Sequence, residues 1–405
     1  MLTFYRLIYF FLSHLLKVVS PFLPNHLQKW IKLKDQNDLI IETSAPTKRI
    51  LFHAASGEIE YVKSMIRELK LKSPNIHVFV SYSSPSAEKL FLNIKESVTQ
   101  FLALPWDSPQ KTKLFLDQLN PDLIIFSRTD FWPELIHQAD RKNIPLMAVS
   151  VYTQFGFLQN IWLKFVLSNF KYISAVSETV TDQLQQLLPR SVQIEYLSDT
   201  RFDQVLYRLS QPSRFEIHTA QKMIVFGSTW PEDEAVLVKC VPDLLGLGYK
   251  IVWCPHDISK KRIADLETQL ATYSFDLFTE QKSPYEFEKQ ILILNQVGFL
   301  ADIYRYSQIA FVGGSFKAKV HSVMEPLCAG NSVIVGPYYK NNPEAVDFLK
   351  TDVVQSIQTS SDFMTAVITN QHRFQKSEIS KLATSKAGAT QKTVQVILNL
   401  LKMNS

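Results

Sequence analysis

Cysteine is nearly absent from this chain. Its three residues, Cys240, Cys254 and Cys328, are too widely spaced to form a metal-ligand or redox pair. They read as reduced residues in or near a core, the pattern of a cytosolic protein. Charge of one sign is also scarce: the formal excess is +5, and no basic stripe marks a nucleic-acid face. There is no low-complexity tract and no short-period repeat, which excludes a solenoid. No apolar run passes uninterrupted through the ~20 residues that a membrane-spanning helix needs. What is there is an ordinary folded composition, 46% apolar and 20% charged, over 405 residues. That length exceeds what one hydrophobic core serves, so two domains are expected.

The charge is unevenly placed. Residues 1–50 hold Arg6, Lys17, Lys29, Lys32, Lys34, Lys48 and Arg49 against Asp35, Asp38 and Glu42, an excess of four. The same region carries LTFYRLIYFFLSHLLKVVSPFL. Leu2 to Leu23 is long enough to span a bilayer, but two cations and Pro21 interrupt it. No small-residue cleavage site follows, so a signal peptide is not expected. Residues 1–30 are predicted to be a hydrophobic membrane-anchor helix, spanning or lying at the interface with its cations towards anionic headgroups. A helix buried against its own domain is the alternative.

From residue 48 short apolar runs alternate with helical periodicity. RILFHA, IHVFVSY, QFLALP, PDLIIFS, PLMAVSV and KYISAVS read as strands; IEYVKSMIRELKLK, SAEKLFLNIKE, QKTKLFLDQLN, WPELIHQADRKN and TVTDQLQQLL read as helices. Near-continuous apolar strands between helices predict a parallel sheet covered on both faces. A second block of the same kind begins at KMIVFGS and runs through YKIVWCP, FDLFTE, ILILNQVG, IAFVGGS and SVIVGP. The predicted fold class is therefore α/β, two doubly wound Rossmann-like domains facing across a cleft: residues 48–198, a linker at 199–220, and residues 221–405. Ligands in such folds sit at the carboxyl ends of the strands.

Three stretches at strand ends carry candidate chemistry. HAASGE, His53 to Glu58, places small residues and a carboxylate where a strand becomes a helix. The small residues permit close approach to the backbone, and the helix start offers unpaired N–H groups. An isolated Glu at a helix start reads more readily as a plain first-turn carboxylate, and the flanking glycine and small residues narrow that margin without deciding it. FGSTWPEDEAV ends a strand in Gly227, Ser228 and Thr229, which can present N–H and hydroxyl groups to a phosphate; it lacks the spacing and lysine of a P-loop. The third stretch ends a strand in Gly313 and Gly314 and continues to His321 and Glu325, four apart and expected on one helix face. Two ligands without a third are weak for a metal, and a sugar-nucleotide site with Glu325 on a ribose is preferred.

Together these stretches resemble the Kdo transferase family (3-deoxy-D-manno-octulosonic acid transferases), GT-B glycosyltransferases. His53 to Glu58 resembles the family's H-x-x-S-x-G-E with one residue missing, and Asp130-Phe131-Trp132 its acidic residue before an aromatic pair. Asp199 to Asp203 resembles G-D-T-R-[FY]-D with Ser198 for Gly. The G-S-T-W-P-E-D-E run, Pro255-His256, the spacing of Gly298, Leu300 and Tyr304, and V-G-G…H-x-x-x-E-P complete it. Departures are Ser322 for an Asn, Lys317 and Lys319 for frequent glycines, and Arg128 where others carry an acid or lysine.

The resemblance implies an inverting, metal-independent transfer of Kdo from CMP-Kdo to a lipid A precursor at the cytoplasmic face of the inner membrane, with no cofactor and no nucleic-acid partner. It implies Glu58 as catalytic base, with His53, Ser56, Gly57, Asp130 and Trp132 on the acceptor side and Asp199 and Arg201 between the domains. The donor would be held by Gly227, Ser228, Thr229, Pro255, His256, Gly298, Leu300, Gly313, Gly314, Ser315, His321, Ser322 and Glu325. A paralogue using another activated sugar, or a catalytically silent binding protein, are the alternatives.

Overall fold

The computed structural model describes residues 1–36, 47–91, 94–278 and 284–403. The chain forms two compact units, residues 1–204 with 386–405, and residues 205–385. In the first, seven parallel strands, β1 (Arg49–His53), β2 (His77–Tyr82), β3 (Gln100–Ala103), β4 (Leu123–Ser127), β5 (Leu146–Val151), β6 (Tyr172–Ala175) and β7 (Gln193–Tyr196), lie in the order β3-β2-β1-β4-β5-β6-β7. Most of their residues are buried, which explains why they read as apolar runs without alternation. One face packs on Phe115, Leu135, Leu163 and Leu184 from four helices. The other packs on Val62 and Ile66 of the helix Ile59–Lys72 and on Val394 and Ile397 of the last helix, Ala389–Met403.

The second unit repeats the plan. Its strands are β8 (Ile217–His218), β9 (Lys222–Thr229), β10 (Tyr249–Pro255), β11 (Phe275–Leu277), β12 (Tyr285–Glu286), β13 (Ile291–Ile293), β14 (Ile309–Val312), β15 (Ser332–Val335) and β16 (Val354–Ser356). Seven of them order as β11-β13-β10-β9-β14-β15-β16, while β8 pairs with β12 alone. In each large sheet the strand order reverses beside the first long strand, between β1 and β4 and between β9 and β14. The stretches after β1, β4, β9 and β14 therefore end at the two switch points, where this fold class opens crevices.

Four sequence expectations are corrected. The second domain does not extend to residue 405, because 386–405 belong to the first unit. Asp203 holds that return by accepting the N–H groups of Gly388 and Thr390 at 2.6 and 2.7 Å. The expected linker 199–220 contains a helix, Thr200–Ser210, whose Phe202 and Val205 are buried. SAEKLFLNIKE gives a 3-10 turn, Pro85–Leu90, in place of an α-helix, with Leu92 and Asn93 outside the described residues. FDLFTE is a strand only over Phe275–Leu277, with Thr279 and Glu280 outside the described residues. A helix at Phe157–Leu167 and strand β7 were not expected.

The N-terminal segment folds as a helix, Leu2–Val19, a short turn and a second helix, Asn25–Asp35. Residues Leu2–Phe22 are the one helical stretch among the described residues long and apolar enough to cross a membrane. One side is nevertheless docked on the first unit. Tyr5 Oη donates to Asp107 at 2.7 Å, the Arg6 guanidinium grips the buried Glu134 carboxylate at 2.7 and 2.9 Å, and the Asp107 N–H donates to Tyr9 Oη. Lys17 pairs with Asp35 at 2.7 Å. The opposite side leaves Phe4, Leu7, Phe11, Leu15 and Val18 exposed, Phe11 to 68% and Val18 to 75%.

Candidate active site

His53 is the last residue of β1 and is fully buried. Its Nε2 lies 3.0 Å from Asp130 Oδ2 and its Nδ1 lies 2.9 Å from Ser81 Oγ. Ser83 donates to the same Asp130 oxygen at 2.8 Å. An ionised carboxylate only accepts, so His53 Nε2 carries the proton of that bond. Burial alone would raise the Asp130 pKa, but the His53 and Ser83 contacts outweigh it and hold the group well below the usual carboxylate range. Asp130 is thus a fixed negative charge.

The chain then turns tightly. Ser56–Glu58 form a 3-10 turn that leads into the helix Ile59–Lys72. The tighter winding suits a motif that is one residue short. Glu58 Oε2 accepts the Ala55 N–H at 3.2 Å, and Oε1 accepts from the Thr129 N–H at 3.3 Å and its hydroxyl at 3.4 Å. The glutamate is therefore a helix-start acceptor, as one reading held, and is also tied to the loop after β4. Burial first, and the Asp130 charge second, push its pKa up to about 7; the Thr129 and Ala55 N–H groups and Arg128 oppose them. Two carboxylates in one place are thereby driven apart, one permanently charged and one poised to exchange a proton near neutrality. Carboxyl pairs driven apart in this way occur where one of them exchanges a proton.

Arg128 adopts φ +60, a conformation few side chains take. Its guanidinium lies 4.7 Å from the Tyr61 ring centre and 3.3 Å from the buried Asp199 carboxylate. Asp199 also accepts the Arg201 N–H at 2.8 Å, and the Arg201 guanidinium covers Tyr61 at 5.6 Å. Asp199 and Arg201 were expected between the domains; both lie in the first unit. Ser56 accepts from Ser86 at 2.7 Å, and Gly57 is exposed with open space around its Cα. Trp132 lies half-buried over Lys34, whose Nζ is 4.0 Å from its ring centre. Ser81, Ser83, Thr129 and Lys34 escaped the sequence reading; nothing local to them marks a partner tens of residues away.

In the second unit the organising group is Asp233, also missed although it lies inside the quoted G-S-T-W-P-E-D-E run. Its carboxylate accepts the N–H groups of Trp230, Gly314 and Phe316 at 2.8, 2.7 and 3.0 Å. The loop after β9 is thereby tied to the loop after β14. This corrects the expectation that Thr229 and the Gly313–Ser315 turn offer donors to a ligand. Gly313 N–H donates to Gly227 O, Gly314 N–H to Asp233, and Ser315 Oγ to Val312 O. The Thr229 hydroxyl donates to Glu234 and receives from Trp253. Nor do the glycines clear room for a ligand: a Cβ at Gly227 would meet Tyr304 Oη at 2.0 Å, and one at Gly313 would meet Ser228 O at 2.3 Å. Ser228 itself has φ +55.

What remains turned outward is a stack of rings. Trp230 stacks on exposed His256 at 4.7 Å, and His256 stacks on His321 at 4.5 Å. Trp230 Nε1 donates to His321 Nε2 at 3.1 Å, and Lys317 Nζ covers the Trp230 ring at 3.4 Å. Burial, with His256 next, pulls the His321 pKa down to about 4, so this ring is neutral and acts as an acceptor. His321 precedes the helix Met324–Cys328, so the expected shared helix face with Glu325 does not exist. Ser322 instead donates to the Glu325 carboxylate from within the same turn. Pro255 ends β10 buried opposite Thr229. Gly298, at φ +95, turns its carbonyl to Arg208 and Arg214, and Leu300 packs on the core.

Two Rossmann-like units, with a carboxyl poised near neutrality at one switch point and an aromatic–imidazole stack at the other, form the GT-B fold. Solved structures of that architecture align over most of the chain. One is a glycosyltransferase from Rickettsia africae, with 11% identity, TM-score 0.57, and coverage of 88% of this chain and 100% of that one. Another is a UDP-GlcNAc 2-epimerase from Neisseria meningitidis, with 12% identity, TM-score 0.63 and the same coverage. Residues 28–204 match the family described as 3-Deoxy-D-manno-octulosonic-acid transferase (kdotransferase). The 3-deoxy-D-manno-octulosonic acid transferase of Rickettsia felis is 28% identical over 347 residues, 81% of this chain and 72% of that protein. Over these stretches the chain is similar to the Kdo transferase family.

Proposed function

We propose that the protein transfers Kdo from CMP-Kdo to a sugar hydroxyl of a lipid A precursor, with inversion. The observation that carries this reading is the Glu58 carboxylate, with its pKa near 7 beside a fixed Asp130 charge. Glu58 removes the hydroxyl proton as that oxygen attacks the anomeric carbon. The new C–O bond forms as the bond to the phosphate breaks, and CMP leaves with the electron pair. Asp130 keeps the base from being held ionised by its N–H partners, so the proton it gains is retained through the transition state. The second unit is assigned the nucleotide, with the Trp230–His256–His321 stack receiving it and Lys317 adding positive charge near the departing phosphate. The reaction is taken as metal-independent.

The first helix is assigned to the membrane surface. Its contacts run from Tyr5 to Lys17, about 18 Å of helix. A helix held to a folded unit along that length is not free to cross a hydrocarbon core of ~30 Å. Its exposed stripe instead suits burial in one leaflet, with Phe157 and Leu158, 80% and 78% exposed at the start of the helix Phe157–Leu167, as a second insertion point. On this reading the acceptor lipid lies within reach of the same unit that carries Glu58. The test is transfer from CMP-Kdo to a tetra-acylated lipid A precursor by wild type and Glu58→Gln. Transfer lost in the variant supports the reading, and undiminished transfer refutes it.

A further inference from the structure

Lys34 is one of two last-turn lysines of the helix Asn25–Asp35, and its side chain is wholly excluded from solvent. Its Nζ has no hydrogen-bond partner, which is costly for a buried ammonium. What surrounds it is aromatic and anionic. The ammonium lies 4.0 Å from the centre of the Trp132 ring and 5.7 Å from that of Trp30. Two carboxylates from the sheet's carboxyl edge act on it, Asp130 from the loop after β4 and Asp107 from the loop after β3. The N-terminal segment thus sends a charge into the back of the site that contains Glu58 and His53.

We propose that Lys34 is a positioning residue of the transfer site: its buried ammonium, seated on Trp132 and facing Asp130, fixes the Asp130 carboxylate that holds His53. This rests on the reading of Glu58 as base. The segment that carries the apolar helix is then a wall of the site as well as an attachment to lipid. Other groups near Lys34 are already committed. Asp107 accepts from Tyr5 and from the N–H groups of Glu134 and Leu135, and its own N–H donates to Tyr9; Arg6 neutralises Glu134; Lys17 pairs with Asp35; His53 and Ser83 hold Asp130. Burial lowers the Lys34 pKa to about 8 against the pull of Asp130 and Asp107. Its charge is accordingly lost in a range where activity can be measured.

The experiment compares full-length wild type, Lys34→Met and Lys34→Arg in detergent, reading kcat against pH and the KM for CMP-Kdo. Wild type is expected to lose turnover above pH about 8. Lys34→Arg, always charged, is expected to keep activity and move that limb upward. Lys34→Met is expected to lose roughly tenfold or more in kcat with an unchanged donor KM, the loss that a misaligned base produces. A folded Lys34→Met with wild-type kcat across the range overturns the proposal, as does a Lys34→Arg limb that coincides with wild type. If the methionine variant does not fold, the arginine profile decides. Glu58→Gln, run alongside, separates the two claims: if it too retains full transfer, the base reading has failed, and if it alone is inactive, only the role of Lys34 has.

Discussion

The two units use one sheet plan for opposite ends. At the first switch point, polar groups are placed in tension: Glu58 is driven towards neutrality by burial and by Asp130, which is itself held charged by His53 and Ser83. At the second, polar groups are satisfied internally. Asp233 takes three N–H groups, and the Thr229 hydroxyl sits between Glu234 and Trp253. The contrast teaches that a glycine-rich strand end is no sufficient sign of a phosphate cradle. In the first unit the crevice holds a carboxyl poised near neutrality; in the second it holds a frame that presents rings.

The largest effect that would sharpen this contrast is on turnover. Glu58→Gln is expected to lower kcat by about 10²- to 10⁴-fold, the range for removing a general base, while the donor KM is unchanged. Asp233→Asn should do the reverse. It leaves buried N–H groups facing an amide, costing about 2–3 kcal/mol of stability, and thermal unfolding with CMP-Kdo titration should show a lower Tm and weaker donor binding. If Asp233→Asn lowers kcat alone, the division of labour is wrong.

A third prediction concerns pH. A carboxyl whose pKa is raised on folding binds its proton more tightly in the folded state, so it reduces stability as pH rises from its ordinary value to about 7. Glu58→Gln should therefore raise Tm at pH 8 relative to wild type and change it little at pH 4. The same change costs activity, as expected where a site stores destabilised charge.

Surface changes come next. Phe11→Ser with Leu15→Ser should lower binding to anionic vesicles about tenfold or more, since each buried side chain contributes about 1.5–3 kcal/mol. Stability should move by less than about 0.5 kcal/mol, because both side chains are already exposed. Retained sedimentation with vesicles would contradict the surface-lying helix. The smallest effect is none at all: transfer should be unchanged by EDTA.

Much of the fold was legible because β1, β4, β9 and β14 are apolar runs that end in small or polar residues, the pattern that a buried parallel strand imposes. Glu58 and Asp130 were legible as motif positions, but their charge states were not. Those depend on Ser81, Ser83 and Thr129, which join only when separate strand ends meet at one edge. Lys34 reads locally as one more cation on a basic segment; its burial is set by Trp132 and Asp107, far along the chain. The return of residues 386–405 to the first unit was equally hidden, since Asp203 binds that segment through backbone N–H groups with no sequence signature.

The central claim is that Glu58 is a base whose pKa is set by Asp130, and the kcat–pH profile of wild type against Asp130→Asn tests it most directly. The account expects a wild-type ascending limb near pH 7 that moves to lower pH in Asp130→Asn, because the charge that raises Glu58 is gone. A limb that stays in place, or moves upward, would contradict it.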